Sequence, residues 1–371
     1  MKTLFSRAWQ LLSTWSNAHV DPLTPTPDMN PEQVAALRAR SERVSLVRAL
    51  PFLSLHVACI GVFWTGWSAT AVLMALGLYL LRMHAITGWY HRYFSHRAFK
   101  TNRVWQFVWA LIGNSTFQRG PLWWAAHHRH HHRHSDEVED THSPMRKGFW
   151  YSHTGWIFAP INYRSRIELV PDLARVPELM WVDRNDVIIP ILCALASWLA
   201  GLVLAHVAPG LHTGPWQLLV WYLISTVVVA HATFTINSIA HVVGSRRFET
   251  SDTSRNNWLL ALLTLGEGWH NNHHHYQSAA RQGFRWYEID ISWYLLLLQS
   301  RLGLVHDLKQ VPERILHPGR VVAPAAATAE VTSIPAAIHV PAATALAMPI
   351  PIAVRPVLRS ATDVVLPEPA M

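Results

Sequence analysis

The chain has 371 residues, half of them apolar and only 15% charged, with 19 tryptophans. That composition argues against a pair of ordinary soluble domains and for one membrane-embedded domain. A net charge of +8 raises nucleic acid or an anionic membrane surface as partner. No compact basic domain is present to bind nucleic acid, so nucleic acid is not expected.

In chain order, the first 30 residues contain Lys2 and Arg7 but no apolar run of signal-peptide length before Asp21 and the Pro-rich 22–31, so no cleaved signal is expected. Residues 31–49 repeat apolar and basic positions at helical spacing. This fits a helix lying on the cytoplasmic membrane face and, equally, an ordinary capped lead-in helix. Apolar segments at 48–66, 68–87, 187–207 and 216–236 are each long enough to cross about 30 Å of hydrocarbon. They predict two membrane hairpins and an all-α integral membrane fold with four transmembrane helices. The connectors at 65–68 and 208–215 contain no Lys or Arg, whereas 1–47, 88–186 and the stretch after 240 contain nearly all of them. Both termini and the large central loop are therefore expected on the cytoplasmic side of a multi-pass protein of the bacterial inner membrane. Within that loop, 104–117 reads as a short helix entering the interface without crossing, and 258–265 as another short apolar stretch. From about Arg320 the composition shifts to Ala, Pro and Val without periodicity, as in a disordered tail. The expected divisions are an N-terminal segment 1–45, a membrane domain 46–315 and the tail 320–371. Cys59 and Cys193 sit inside apolar runs, which leaves neither a disulfide framework nor a thiolate metal site.

Most of the 24 histidines fall in three clusters: His91-Arg-Tyr-Phe-Ser-His96, His127-His128-Arg-His130-His131-His132, and His270-Asn-Asn-His273-His274-His275. Each lies at the cytoplasmic end of an apolar segment. Positions i, i+3 and i+4 of a helix share a face, so His128, His131 and His132 can converge, as can His270, His273 and His274. Neutral imidazole suits iron, zinc and copper, and an all-nitrogen set with few carboxylates fits iron or zinc. Asn237 and His241 stand four apart at the end of the last span. A lone histidine run could be a zinc-buffering loop, but three clusters on one side of a four-span topology point to a metal centre.

These motifs resemble those of the membrane fatty acyl desaturases of the stearoyl-CoA type, over about residues 45–310. The histidine boxes HxxxxH, HxxHH and HxxHH stand at His91…His96, His128…His131-His132 and His270…His273-His274. Their flanks are similar too: GPLWWAAHH at 120–128, EDTHSP at 139–144, SHTGW at 152–156, NSIAH at 237–241 and GEGWHNNHH at 266–274. The resemblance implies four spans beneath a cytoplasmic helical cap holding two iron ions. It implies one iron on His91, His96, His128, His132 and His274, and the other on His131, His241, His270 and His273, with Asn237 reaching it through water. His127, His130 and His275 fall outside that pattern and are expected to orient ligands or lie at the surface.

Alkyl hydrogens are not acidic, so breaking such C–H bonds needs metal and dioxygen chemistry rather than a side-chain acid or base. The implied reaction removes two vicinal hydrogens from a fatty acyl chain, by default at the ninth carbon, with dioxygen and two external electrons. His317-Pro-Gly-Arg320 is read as a turn rather than part of a haem domain. The electron donor is therefore expected to be a separate protein, ferredoxin-like or haem-containing. Gln118, Arg119 and Trp124 are candidate substrate contacts, with Arg164 and Arg166 nearby. Acyl-CoA is the first expected carrier and acyl phospholipid its competitor, because the positions flanking box two and SHTGW carry no run of charges. Tyr79, on the span leading into His91, is the expected floor of the acyl tunnel, with Ala75 one turn deeper, which would favour 16-carbon chains. The rival readings are a membrane di-iron hydroxylase of lipids or alkanes and a non-enzymatic metal transporter or buffer.

Overall fold

The computed structural model describes residues 29–317. The expectations about the first 28 residues, the tail 320–371 and residues 318–320 lie outside the described residues.

The segment 31–49 forms two helices. Helix α1, Pro31–Ser41, starts in a capping box: Asn30 accepts from the Gln33 N–H at 2.8 Å and its own N–H donates to the Gln33 side chain at 2.9 Å. It is exposed along most of its length, which fits both alternatives. Helix α2, Leu46–Cys59, restarts at Ser45 and continues through one more turn, Val62–Thr65, before Gly66 turns the chain at φ 69°. Helix α3, Ala69–His84, is N-capped by Ser68 and runs on as a π-helical segment, Ala85–Ser95. Helices α4 (Arg103–Asn114), α5 (Pro121–His134) and α6 (Pro177–Arg184) build the cap. Helices α7 (Ile188–Val207) and α8 (Pro215–Asn237) form the second hairpin. Three more helices complete the cap: α9 (Trp258–Leu263), α10 (His270–His275) and α11 (Ile291–Arg301). Strands β1 (Lys100–Thr101) and β2 (Val305–His306) pair antiparallel.

Four helices, Pro31–Thr65, Ala69–Ser95, Ile188–Val207 and Pro215–His241, are long and apolar enough to cross a membrane, which makes this an integral membrane protein. The 104–117 stretch forms a short helix, as expected, over Arg103–Asn114. As α4 it packs Trp109 flat on Trp89, ring centroids 5.1 Å apart, inside an aromatic core with Tyr90, Phe94 and Phe99. Beneath the cap, buried Arg82 donates to Ser225 Oγ at 2.6 Å and Thr226 Oγ1 at 2.7 Å, so neutral acceptors tie α3 to α8.

Candidate metal centre

Local helix geometry decides which imidazoles meet. His91 and His96 are five residues apart, which an α-helix would place about 140° apart around its axis. The π-helical segment cancels that rotation: the His96 N–H donates to the His91 carbonyl, an i→i+5 bond of 3.3 Å, and both rings face the same side. On α5 and α10 the i and i+4 residues lie only about 40° apart, whereas the i+3 residue is turned about 60° the other way. The structure uses that offset symmetrically. His128 and His132 of α5 join His91, His96 and His273 in a group of five, and His270 and His274 of α10 join His131 and His241 in a group of four.

This corrects two expectations. His128, His131 and His132 do not converge on one point. His273 also exchanges places with His274 relative to the division that the resemblance implies, because the i, i+4 pair His270/His274 stays together and His273 points to the opposite group.

Within each group the Nε2 atoms face one another: His91–His273 2.9 Å, His96–His128 2.8 Å, His128–His132 2.9 Å, His132–His273 2.9 Å and His241–His270 3.1 Å. Burial, with the neighbouring imidazoles, holds His96, His128, His132, His270 and His273 well below the ordinary histidine range. They are therefore neutral, the form that ligates metal. His274 Nε2 is buried without a protein partner. Metal–nitrogen bonds of about 2.0–2.1 Å at right angles place two donors about 3 Å apart, so the separations fit a metal ion in each group.

Four carboxylates orient these rings, while the two groups themselves are all histidine. Glu267 contacts His91 Nδ1, and Asp140 meets His131 Nδ1 at 3.0 Å. Asp252 meets His274 Nδ1 at 2.5 Å, and Asp136 lies 3.7 Å from His241 Nδ1. Burial opposes ionisation of Asp140 and Asp252, but the charge and hydrogen bonding of His131 and His274 outweigh it and hold both below the usual carboxylate range. A carboxylate on Nδ1 fixes the tautomer and raises the basicity of Nε2. Asp140 and Glu267 lie inside the EDTHSP and GEGWH motifs, whereas Asp136 and Asp252 carry no local signal.

Against this geometry, the fatty acid desaturase family model matches residues 63–297. The chain is 33% identical to an sn-2 palmitoyl-lipid 9-desaturase of Nostoc, covering 75% of this chain and 95% of that protein. It is 36% identical to delta-9 acyl-lipid desaturase 1 of Arabidopsis thaliana, covering 76% and 89%, and 35% identical to a probable acyl-CoA desaturase of Schizosaccharomyces pombe, covering 74% and 56%. The chain belongs to the fatty acid desaturase family. It is an oxidoreductase with a histidine-rich metal site, acting on acyl chains with dioxygen.

In this desaturase a cavity of about 550 Å³ is lined by Arg48, Arg119, Tyr163 and Asn237 and reaches His128 of the group of five. Gln118 and Trp124, expected as substrate contacts, both line it, Gln118 donating to Thr233 Oγ1 at 3.2 Å. Arg119 also lines it but is largely buried and already paired with Asp186 at 3.1 Å. Arg164 and Arg166 pair with Glu168 near the surface and line neither cavity. A second cavity of about 40 Å³ lies behind Trp124, His128, Thr233 and Asn237, which both cavities share, and is bounded by Met83, Ile86 and Thr87. Asn237 thus borders both cavities, the smaller of which His131 and His270 also line.

Tyr79 lines neither cavity. Its hydroxyl donates to the Leu263 carbonyl, and its ring packs behind Met83. Ala75 offers no free space either: it is buried, and its carbonyl accepts from Ser225 Oγ at 2.8 Å. Of the three extra histidines, His127 lines the large cavity beside Trp123, His130 bonds the Glu139 carbonyl at 2.9 Å, and His275 stacks on Phe248.

Proposed function

We propose that this protein is a di-iron desaturase that introduces a double bond at the ninth carbon of a long fatty acyl chain, with electrons from a separate carrier protein. The observation that supports this is the large, mainly apolar cavity lined by His128 and Asn237. Iron, when bound to the two histidine groups, supplies the dioxygen chemistry that removes unactivated hydrogens. The protein residues position and shield: Trp124 and Thr233 narrow the path beside the metal groups, and apolar walls keep water from the acyl chain. The distribution of Lys and Arg supports a cytoplasmic cap.

For the carrier, the cavity supports an acyl chain held by a membrane lipid. Arg48, Pro51 and Phe52 of the first span form part of its wall, so a chain can enter from the bilayer. Ile157 and Phe158 line it after SHTGW, and its only charged residues are Arg48, Arg119 and Asp186. That is little for a multiply charged nucleotide carrier. Expression in a desaturase-deficient host, with gas chromatography–mass spectrometry of each lipid class, tests the reading. Loss of two hydrogens in lipid-bound chains is expected; gain of an oxygen would establish hydroxylation instead, and activity on acyl-CoA alone would overturn the carrier assignment.

Two variants probe the cavity. Arg119→Ala is a poor test of head-group binding, because it breaks the buried ion pair with Asp186, and removing one partner of a buried pair costs about 3–5 kcal/mol. Among the described residues Arg48 makes no ion pair; its guanidinium lies 3.9 Å over the Tyr163 ring, and its Nη1 is buried without a hydrogen-bond partner. Arg48→Ala is therefore expected to raise KM about tenfold with little change in kcat, as a lost charge-assisted bond of about 1.5–3 kcal/mol implies. Equal loss in kcat at constant KM would refute it. Met83 lines the small cavity, which Met83→Ala enlarges. Each methylene accommodated is worth about 1–3 kcal/mol, so the ratio of 18- to 16-carbon products is expected to rise about tenfold or more. Tyr79→Ala, acting from behind Met83, should move it less.

A further inference from the structure

Outside the two groups described above, three more histidines form a line linking the first span, the last span and the cap. His56 Nε2 faces His231 Nε2 at 2.9 Å, His231 Nδ1 lies 3.0 Å from His153 Nε2, and His153 Nδ1 lies 3.0 Å from Ser238 Oγ. The line ends on carbonyls: His56 Nδ1 is 2.8 Å from the Phe52 oxygen, and Ser238 Oγ donates to the Phe234 oxygen at 3.0 Å.

Counting protons assigns every contact but one. Because the Ser238 hydrogen goes to Phe234, His153 must donate to Ser238 through Nδ1–H, leaving Nε2 as an acceptor. His231 then donates through Nδ1–H to His153, and His56 donates through Nδ1–H to Phe52. Three neutral imidazoles carry three N–H protons, and all three are now used. Two lone pairs remain, on His56 Nε2 and His231 Nε2, directed at each other at 2.9 Å. Among the described residues, every other Nε2–Nε2 contact of this length belongs to the two metal-binding groups.

We propose that His56 and His231 form a third metal site, which takes a divalent transition-metal ion of the kind that prefers neutral imidazole, such as zinc, iron or nickel. With metal–nitrogen bonds of about 2.0–2.1 Å, a separation of 2.9 Å makes the two nitrogens adjacent ligands at close to a right angle, leaving the remaining positions to water or other oxygen donors. His153 is a positioning residue: it fixes the His231 tautomer as the carboxylates fix the ligands of the main centre. The site joins two transmembrane helices, and the Phe52 ring meets His56 edge-on at 4.6 Å, so the ion would also brace a wall of the large cavity, which Phe52 and Phe234 line.

The test uses the full chain in lipid nanodiscs, dialysed to equilibrium against micromolar zinc and analysed for metal by mass spectrometry. Wild type is expected to hold one zinc more than His56→Phe or His231→Phe, with both variants retaining the metal of the two larger groups. His153→Phe is expected to weaken binding of that ion about 10–100-fold. On wild-type protein, zinc is also expected to protect His56 and His231 from diethylpyrocarbonate. A variant that loses more than one equivalent has lost its fold, and the labelling of wild type then decides. Equal zinc in wild type and variants, or labelling unchanged by zinc, overturns the site and leaves a proton shared between the two nitrogens.

Discussion

His274→Ala is expected to abolish desaturation, with product reduced at least about 100-fold, and to release the metal of the group of four. His274 is buried, its Nδ1 is held by Asp252, and its Nε2 points at His131, His241 and His270 without a protein partner. No neighbouring side chain can replace it, and alanine leaves three donors and an unpaired Asp252. The division of ligands makes a stricter demand. His131→Ala combined with His274→Ala removes two ligands of the same ion, so the double variant should lose no more metal than either single variant. His273→Ala combined with His274→Ala strikes both groups and should lose both ions. Metal content by mass spectrometry and acyl products by gas chromatography read both outcomes. Additive metal loss in the first pair would refute the grouping, and full activity in either single variant would refute the ligand assignment. Asn237→Ala should be milder, since its amide borders the centre and the expected contact is through water.

Glu267→Gln is expected to lower metal affinity or turnover about 10–100-fold, although the substitution changes no ligand. Glu267 is buried between two charge-sensitive partners: it contacts His91 Nδ1, and its Oε1 accepts from Arg92 Nη2 at 3.1 Å. Burial alone would raise its pKa, but His91 and Arg92 overcome that and hold it below the ordinary carboxylate range. The neutral amide can still accept from one partner, but it no longer supplies the charge that makes His91 Nε2 a strong donor. Arg92 keeps Asp290, at 2.9 Å, so the fold should survive. Chelator competition on the purified variant measures the affinity, and a value equal to wild type would exclude this role for Glu267.

Much of this protein was legible in its sequence, because the relevant signals are local. Largely apolar runs of membrane length gave the four spans, and the spacing of the histidine boxes, with their flanking motifs, identified both the metal chemistry and the family. Helical periodicity also confines His270 and His274 to one face. What periodicity cannot say is which face meets which element. The exchange of His273 and His274, the parting of His131 from His128 and His132, and the convergence of His91 with His96 through a π-helical turn are set by how α5, α10 and the end of the second span pack together. The orienting carboxylates escaped for the same reason: Asp136 and Asp252 reach His241 and His274 from other elements, and only the folded chain makes them neighbours. Tyr79 was placed at the tunnel floor by distance along one helix. The rotation of α3 against α8 and α9 decided instead that Met83 borders the cavity, while the Tyr79 hydroxyl is taken by the Leu263 carbonyl. Arg119 likewise read as a free cation until the fold set Asp186 against it, because a buried charge must find its partner wherever packing brings one.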